Sequence, residues 1–193
     1  MVPGKRAEYA EATKRDLIEV GRRLFGDRGF AATSLDDVVA EAGVTKGALY
    51  HHFTNKKELF VAVVEKIEGD LSAFIAQGME RDPWAALLVG IDRYLDAALE
   101  PEVQMVLLDA PAVLGWERWR QLEERYGLGL TMVALQVAME AGVLTTQPIE
   151  PLAHLVLGAL NEGAIYIAQA KDRDAARRVV GEAARSMLKG LKA

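Results

Sequence analysis

Cysteine is absent from this chain of 193 residues, and histidine occurs only three times. Without cysteine the chain has no disulfide bond, no thiolate nucleophile and no cysteine-based zinc site. The histidines are His51, His52 and His154, and no pair of them has the spacing that places two metal ligands on one helix face. We therefore expect neither a metal nor a cofactor.

The sequence also lacks the motifs on which many catalytic sites are built. No serine lies in the Gly-x-Ser-x-Gly pattern of a nucleophile elbow. The segment Gly127-Leu128-Gly129 has neither the third glycine nor the preceding strand of a dinucleotide-binding loop. Adjacent carboxylates such as Glu123 and Glu124 are typical of a solvated helix face. We predict that the protein is not an enzyme.

Long apolar runs and strand-like alternation are missing as well. No uninterrupted apolar run reaches about 18 residues, the length at which a segment becomes a candidate membrane helix. The first six residues lead into a polar segment rather than into the apolar core of a signal peptide. Alternation of period two, internal repeats and low-complexity stretches are also absent. We expect an all-α, cytoplasmic protein that does not bind a membrane.

Basic residues are fewer than acidic ones, and the formal net charge of −5 argues against binding nucleic acid through bulk positive charge. The charge is unevenly distributed, however. The first 57 residues carry ten lysines and arginines against eight aspartates and glutamates, whereas the remaining residues carry thirteen against twenty. The apolar fraction of 51% fits a globular protein with a real core. The positive part of the chain is therefore its N-terminal third.

Two short helices joined by a tight turn are predicted in this N-terminal third. Ser34 followed by Asp37 is close to a capping box, and apolar residues then recur at helical spacing. Gly43 suits the left-handed position that ends a helix, and Thr45 is a good N-cap for the next helix. One face of that second helix is apolar and the opposite face is polar. The pattern is that of a helix-turn-helix unit.

The stretch from Ser34 to Leu59 resembles the N-terminal signature of the TetR family of one-component transcriptional regulators. The matching positions are Leu49, Tyr50, His52 and Phe53 in the family's Leu-Tyr-x-His-Phe core, followed by Asn55, Lys56 and Leu59. The resemblance implies an N-terminal three-helix DNA-binding domain joined by a long helix to a larger helical domain. It also implies a homodimer with an effector site in that larger domain.

The start of the second helix is expected to read DNA bases. A recognition helix enters the major groove with its N-terminal residues at the base edges. Lys46 can donate to guanine, and Thr45 can bond a phosphate or touch a thymine methyl group. Gly47 has no side chain and lets the backbone come close. We predict that these three residues contact DNA.

Phosphate contacts are expected around the same helix. The resemblance implies them for Tyr50, His52 and Lys56, and Ser34 is placed at a helix N-terminus to hold a phosphate through its backbone amide. His51 points outward and is included among the DNA-binding residues. His52 borders the buried face, so a packed core histidine is the alternative. A merely solvated face is the alternative for the lysines.

The chain is predicted to contain three parts. Residues 1–12 form a flexible N-terminal arm, residues 13–60 the DNA-binding domain, and residues 61–193 a ligand-binding and dimerisation domain. The arm carries Lys5 and Arg6, which either reach a minor groove or phosphate or belong to a loose terminus.

Helix boundaries are expected from caps, glycines and prolines. The first helix is predicted from Thr13 to Arg28, and Asn55 is expected to cap a long fourth helix. Asp82 and Pro83 signal another helix start. Pro101 and Pro111 are expected to leave only a short helical piece at about residues 102–108. A long helical pattern follows over about residues 115–141, and two final helices are predicted at about 150–170 and 173–191.

The C-terminal region is expected to hold a small, largely apolar effector. Its helices carry more aromatic and apolar residues than a dimer bundle needs, and the resemblance implies a site there. The predicted ligand-binding residues are Trp84, Met105, Trp116, Trp119, Tyr126 and Asn161. Glu162 and His154 are other possible polar anchors. For each aromatic residue, an ordinary place in the core is the alternative.

The last two helices are expected to form the dimer interface. Each carries an apolar arc wider than one neighbour covers, so the excess surface can be buried in a four-helix bundle across a two-fold axis. The predicted interface residues are Leu152, Val156, Ala159, Gly163, Ile167, Ala176, Val180, Ala183 and Met187.

These expectations together describe a ligand-responsive transcriptional regulator, a homodimeric repressor that binds double-stranded DNA at a palindromic operator and is released by its effector. The alternative is a helical protein-interaction module or small-molecule carrier that binds DNA only weakly. The discriminating feature is sequence preference. Lys46→Ala is expected to relax specificity, and Lys56→Ala to weaken binding to all sequences similarly.

Overall fold

The computed structural model describes residues 5–77 and 82–193, and this part of the chain is helical without a strand. The helices are α1 (Lys5–Ala32), α2 (Leu35–Ala42), α3 (Lys46–His52), α4 (Lys56–Ala76), α5 (Pro83–Ala97), α6 (Pro101–Leu114), α7 (Trp116–Glu123), α8 (Gly129–Glu140), α9 (Ile149–Gln169) and α10 (Arg173–Lys189). A π-helical turn at Glu124–Leu128 joins α7 to α8. The all-α prediction is confirmed.

The caps around α2 and α3 follow the sequence closely. The Ser34 side chain accepts from the amide of Asp37, and the Asp37 carboxylate accepts from the amide of Ser34, which completes the capping box. Gly43 ends α2 in the left-handed region with φ of 64°. Thr45 caps α3 through a bond from the amide of Ala48. The predicted helix, tight turn and second helix are therefore confirmed.

The first helix is longer than predicted. It begins at Lys5 rather than Thr13 and ends at Ala32, with a kink at Gly29, where φ is 76°. Residues 5–12 are therefore helical rather than a loose arm, because they consist mainly of good helix formers and contain no glycine or proline. Residues 1–4 of the predicted arm lie outside the described residues.

A continuous core joins the first three helices to the rest of the molecule. Phe25 and Phe60 pack edge to face with ring centroids 5.1 Å apart, and Phe30 packs on both rings. Leu49 of α3 and Val38 of α2 are fully buried in the same cluster. The cluster continues along α4 into α6, so the DNA-binding unit rests on helices of the C-terminal region.

Helix α6 differs from its prediction. It runs without a break from Pro101 to Leu114 and contains Pro111. Pro111 removes the one hydrogen bond that its amide would donate to Leu107, and the packing of α6 on α1 and α4 outweighs this loss. The expected break at this proline was wrong, and α6 is long enough to touch both halves of the molecule.

The C-terminal helices build a second core from α5, α8, α9 and α10. Asp82 caps α5 with Pro83 in its first turn, and Asp172 caps α10, both as predicted. Among the described residues, α9 is the one helix long and apolar enough to cross a membrane by length and composition alone. Its buried face packs into this second core, as in the central helix of a globular domain.

Candidate nucleic-acid interface and internal cavity

The N-terminal end of α3 presents the residues predicted to read bases. Thr45 accepts from the amide of Ala48 at 3.2 Å and keeps its hydroxyl proton available for donation. Lys46 is exposed, and its Nζ donates to Asp36 at 2.9 Å, which raises the pKa of the lysine. A Cβ added to Gly47 would meet only the Thr45 hydroxyl oxygen, at 3.9 Å. The end of α3 is therefore accessible, and base reading by these residues stays a prediction.

Tyr50 and His51 lie on the exposed side of α3. The Tyr50 side chain is 54% exposed. His52 is half-buried, and burial lowers its pKa, with further lowering from the charges of His51 and Lys14. His52 is therefore suited to a neutral hydrogen bond rather than to a charged contact with phosphate.

Lys56 has a structural position that its sequence signature does not reveal. Its Nζ donates to the carbonyls of Phe30 at 2.7 Å and Thr33 at 2.9 Å, with that of Ala31 at 3.5 Å. The ammonium also lies 4.2 Å from the centroid of the Phe30 ring. All three protons of the ammonium are therefore directed at the end of α1. These contacts give Lys56 a structural role, and the phosphate contact predicted for it stays a prediction.

The backbone amide of Ser34 is also occupied. It donates to the Asp37 carboxylate at 3.0 Å, and the Ser34 hydroxyl donates to the same oxygen at 2.7 Å. These bonds lower the pKa of Asp37, so a negative charge lies where the phosphate was expected. The Ser34 amide thus has an internal acceptor in this structure, and the predicted phosphate contact stays a prediction. The capping box that the sequence indicates uses this amide itself.

Lys14 on α1 is a basic group near α3 that the sequence reasoning missed. Its charge acts on His52, at the C-terminal end of the recognition helix, and lowers the pKa of that histidine. Helices α1 and α3 pack against each other. Because α1 begins at Lys5, Lys14 lies well inside this helix. The predicted start at Thr13 placed Lys14 at the end of the helix. Lys14 is a candidate for a phosphate contact.

A cavity of about 160 Å³ lies among the helices from α4 to α9. Its lining is mainly apolar, with side chains such as Ile67, Leu71, Ile91, Val106 and Leu157. A cavity of about 150 Å³ is large enough for benzene. An apolar lining with a few polar groups is typical of a site for a small organic molecule.

Polar side chains converge on this cavity from four helices. Tyr94 donates to Asn161 at 2.5 Å, and Asn161 donates to Glu123 at 2.6 Å. Arg120 pairs with Glu123 at 2.9 Å. Burial raises the pKa of Tyr94 above its usual range, and burial together with the charge of Glu123 raises the pKa of Glu68 to about 7. Both Glu68 and Glu123 line the cavity.

Two of the predicted ligand-binding residues, Trp119 and Asn161, line the cavity. Trp84 does not, because its ring lies under the Lys192 ammonium, 4.1 Å from the ring centroid. Met105 is buried in the core that α6 shares with the N-terminal helices. The predictions for Trp84 and Met105 were wrong for the same reason, since their helices turn these positions away from the cavity.

Trp116 and Tyr126 were also predicted to contact ligand and do not line the cavity. The Trp116 side chain is 72% exposed at the start of α7. Tyr126 lies in the π-helical turn, close to Gly69 of α4. The π-helical turn changes the helical phase between α7 and α8, which a regular helical wheel does not reproduce.

Three polar cavity residues were missed: Glu68, Tyr94 and Glu123. Glu123 was expected on a solvated helix face, and this was wrong because its side chain is 11% exposed and lines the cavity. Glu68 interrupts an apolar stripe of α4, four residues after Val64 and three before Leu71. A carboxylate in such a stripe indicates either a helix edge or a polar group inside a cavity. That signal was present in the sequence, whereas the convergence of Tyr94 and Glu123 on it depends on how α5 and α7 pack.

The predicted dimer interface needs a correction. Leu152, Val156, Ile167 and Ala176 are buried inside the single chain, so they are not available to a partner. Gly163 and Val180 meet at the contact between α9 and α10. Ala159, Ala183 and Met187 are exposed, as an interface requires. On a helical wheel, each of these two helices carries an apolar arc that spans two stripes. The wheel does not indicate which stripe faces the core of the chain and which faces a partner.

The exposed apolar face lies beside these three residues on α9 and α10. Its large side chains are Leu155, 72% exposed, Tyr166, 62% exposed, and Val179, 62% exposed. We call this surface, with Ala159, Ala183 and Met187, the α9–α10 face. Several large exposed apolar side chains on two neighbouring helices are typical of a protein interface.

Comparison with known families covers most of the chain. Residues 17–63 match the family described as bacterial regulatory proteins, tetR family. Residues 84–191 match the tetracyclin repressor-like C-terminal domain. The Tn10 TetC protein of Escherichia coli is 26% identical over 167 residues, which cover 86% of this chain and 85% of that protein.

Solved structures give the same picture. A TetR-family transcriptional regulator from Pectobacterium atrosepticum has a TM-score of 0.84 and 35% identity, and the match covers 98% of each chain. RolR, solved in complex with resorcinol, has a TM-score of 0.72 and covers 94% of this chain and 89% of its own. At 18% identity, RolR shares the fold.

Proposed function

Because the chain belongs to the TetR family of transcriptional regulators, we propose that it is a homodimeric repressor, released from a palindromic operator by a small organic effector. The chain has the helix-turn-helix and the larger helical domain of the family. It is a DNA-binding regulator and not an enzyme. We extend the proposal to a DNA-binding domain of residues 13–60, a ligand-binding and dimerisation domain of residues 61–193, and a cytoplasmic location.

The observation that carries the operator proposal is the accessible end of α3. Lys46 is exposed there, and Gly47 leaves the backbone open. The Asp36 carboxylate holds the Lys46 ammonium at this surface, and a guanine edge offers a competing acceptor. We propose that Thr45, Lys46 and Gly47 contact bases, and that Tyr50, His51 and Lys14 contact the DNA backbone.

The α9–α10 face supports the dimer proposal. Two such faces related by a two-fold axis bury Leu155, Tyr166 and Val179 against the same face of the partner. The two recognition helices of a dimer read half-sites about 34 Å apart, one helical turn of DNA. A palindromic operator is the sequence that such a symmetric reader requires.

The cavity supports the effector proposal, and its walls suggest how binding reaches DNA. Helix α4 begins within the DNA-binding unit and contributes Ile67, Glu68 and Leu71 to the cavity. Helix α6 contributes Val106 and also packs on α1. A ligand that favours another arrangement of α4 and α6 changes the spacing of the recognition helices and lowers DNA affinity. RolR, which has the same fold, is an example with a bound small molecule.

The experiment that tests this function is a selection of genomic DNA fragments by the purified protein at physiological salt. We expect recovery of a short inverted repeat at a few sites. Equal, weak binding to all fragments would contradict the operator proposal.

Lys46→Ala then tests the base contact. We expect it to cost about 1–3 kcal/mol on the selected site and to relax specificity there. Lys171→Ala removes an exposed lysine far along the chain and serves as the matched control. Equal losses for Lys46→Ala on cognate and unrelated DNA would show that this lysine contacts only phosphate.

A further inference from the structure

The cavity contains a carboxylate that no other described side chain neutralises. Glu68 is half-buried on the cavity wall, and the hydrogen bonds and ion pairs found among residues 5–77 and 82–193 do not include its carboxylate. The charged group that perturbs its pKa is another carboxylate, that of Glu123. A partly desolvated carboxylate without a partner is costly to ionise, so this position favours a ligand that supplies the missing charge or proton donor.

Glu123, in contrast, already has partners. It pairs with Arg120 at 2.9 Å and accepts from Asn161 at 2.6 Å. Arg120 in turn lies 3.1 Å from Nδ1 of His154. Arg120 is therefore engaged with Glu123. The cavity retains the negative charge of Glu68 when that carboxyl group is ionised.

Aromatic rings line the cavity that holds this carboxylate. Tyr94 and Trp119 both line it, and the charge of Glu68 acts on the Tyr94 hydroxyl. Because the face of an aromatic ring attracts a cation, these two rings favour an ammonium group over a neutral one in the cavity that holds the carboxylate. The remaining lining is aliphatic, and the volume of about 160 Å³ accommodates a body close to one aromatic ring in size.

We propose that the effector is a small lipophilic organic cation, with an ammonium group paired to Glu68 beside Tyr94 and an apolar body among the aliphatic side chains. This inference rests on the proposed function in taking the cavity as the effector site. Organic acids are disfavoured because two carboxylates line the same cavity, and neutral alcohols gain only a hydrogen bond at Glu68.

Calorimetric titration of the full-length protein with three matched probes tests the ligand class without DNA. The probes are 3-phenylpropylamine, 3-phenylpropanol and 3-phenylpropionate, which share one apolar body and differ in charge. Near pH 8 the amine is protonated and Glu68 is largely ionised. We expect the amine to bind about tenfold or more tightly than the alcohol, and the acid to bind more weakly than either.

Glu68→Gln keeps the shape of the side chain and removes its charge. We expect it to lower affinity for the amine by about tenfold while affinity for the alcohol changes little. Glu65→Gln, on the same helix, is the matched control because Glu65 faces Arg118 at 3.1 Å instead of the cavity. Binding of the alcohol by Glu68→Gln shows that the variant is folded.

A pH series adds a second readout. The ionisable groups that act on Glu68 are Glu123 of α7 and Tyr94 of α5, with Arg120 and His154 behind Glu123. Because Glu68 ionises on passing pH 7, affinity for the amine is expected to rise from about pH 6 to pH 8 in the parent protein and to rise less in Glu68→Gln.

Three outcomes would overturn the proposal: the alcohol or acid binding as tightly as the amine, an unchanged preference in Glu68→Gln, or no binding of any probe. The proposed function fails separately. If the amine binds as expected but does not weaken operator binding, the cation site stands and the repressor mechanism does not. If the operator is bound and the amine is not preferred, only the ligand class is lost.

Discussion

Lys46 begins the α3 recognition helix and Lys56 begins α4, and their contacts give them different roles. Lys46 is 64% exposed at its side chain and pairs with one surface carboxylate. Lys56 donates to carbonyls at the end of α1 and lies over the Phe30 ring. The sequence motif contains both lysines and does not distinguish a DNA contact from a structural one.

Lys56→Met is expected to destabilise the DNA-binding unit. The variant keeps the aliphatic stem but removes the charged hydrogen bonds that close the end of α1, at a cost of roughly 1–3 kcal/mol. Urea unfolding without DNA measures this loss. Lys57→Met is the matched control, because the neighbouring ammonium reaches only the Leu114 carbonyl, at 3.4 Å. Unchanged stability together with weaker binding to all DNA would restore the phosphate role for Lys56.

Glu68 predicts a pH-dependent change in stability. Its pKa rises from 4.5 to about 7 on folding, so the folded state holds this proton more tightly than the unfolded state does. The resulting loss of stability grows as pH rises through this window and is complete above it. Glu68→Gln removes the loss. We expect the variant to gain free energy of unfolding over the parent near pH 8 and to gain much less near pH 5.

Urea unfolding of both proteins at the two pH values measures this difference. Glu65→Gln, whose carboxylate lies at the surface beside Arg118, controls for the loss of a charge on α4. An advantage of Glu68→Gln that is equal at both pH values would show that its carboxyl has an ordinary pKa.

At the scale of helices, α6 is the element that connects the two ends of the molecule. Arg22 of α1 donates to Glu102 of α6 through two nitrogens, one at 2.6 Å, and to Asp70 of α4 at 2.8 Å. Asp109 of α6 accepts from the Phe30 amide at 2.9 Å. The same helix lines the cavity through Val106. A displacement of α6 therefore acts directly on the helix that supports the recognition unit.

Glu102→Gln is expected to loosen this connection. It removes the charge from a partly buried bidentate pair, which costs roughly 1–3 kcal/mol of stability and speeds amide exchange in both α1 and α6. Hydrogen exchange by mass spectrometry measures both helices. Glu100→Gln is the control, because this exposed carboxylate makes no capping bond to α6. Faster exchange confined to α6 would mean that the ion pair does not couple the two helices.

The predicted helix boundaries were correct where a capping side chain sets the boundary. They were wrong where tertiary packing along the helix sets it. Ser34, Thr45 and Asp172 each cap the helix that their position in the sequence indicates. Pro111 was expected to break α6, yet the helix continues past it. Local side-chain bonds determine the caps, whereas packing on α1 and α4 outweighs the one hydrogen bond that Pro111 removes.

For the whole molecule, the proposed dimer is built on the α9–α10 face. Leu155→Lys places a charge on that surface, at an apolar side chain that is 72% exposed. We expect the variant to be a folded monomer at micromolar concentration, with operator affinity reduced by about tenfold or more. Light scattering coupled to size exclusion measures its mass.

Leu108→Lys provides the control for this change. Leu108 is 43% exposed on α6, so the variant introduces the same charge at an exposed leucine outside the α9–α10 face. We expect it to remain dimeric. A dimeric Leu155→Lys protein, or loss of the dimer in both variants, would contradict the proposed interface.

The sequence by itself determined the helical class, the caps of the helix-turn-helix and the family, because these depend on residue spacing and on bonds within a few positions. It also placed Lys46 at the open end of α3. Only the tertiary structure decided which apolar stripe of α9 faces the core, that Lys56 closes the end of α1, and that Glu68, Tyr94 and Glu123 meet in one cavity. These outcomes depend on how helices far apart in the chain rotate and pack against each other. Helical periodicity defines the faces of each helix. Which helix packs against each face depends on the packing of the whole chain.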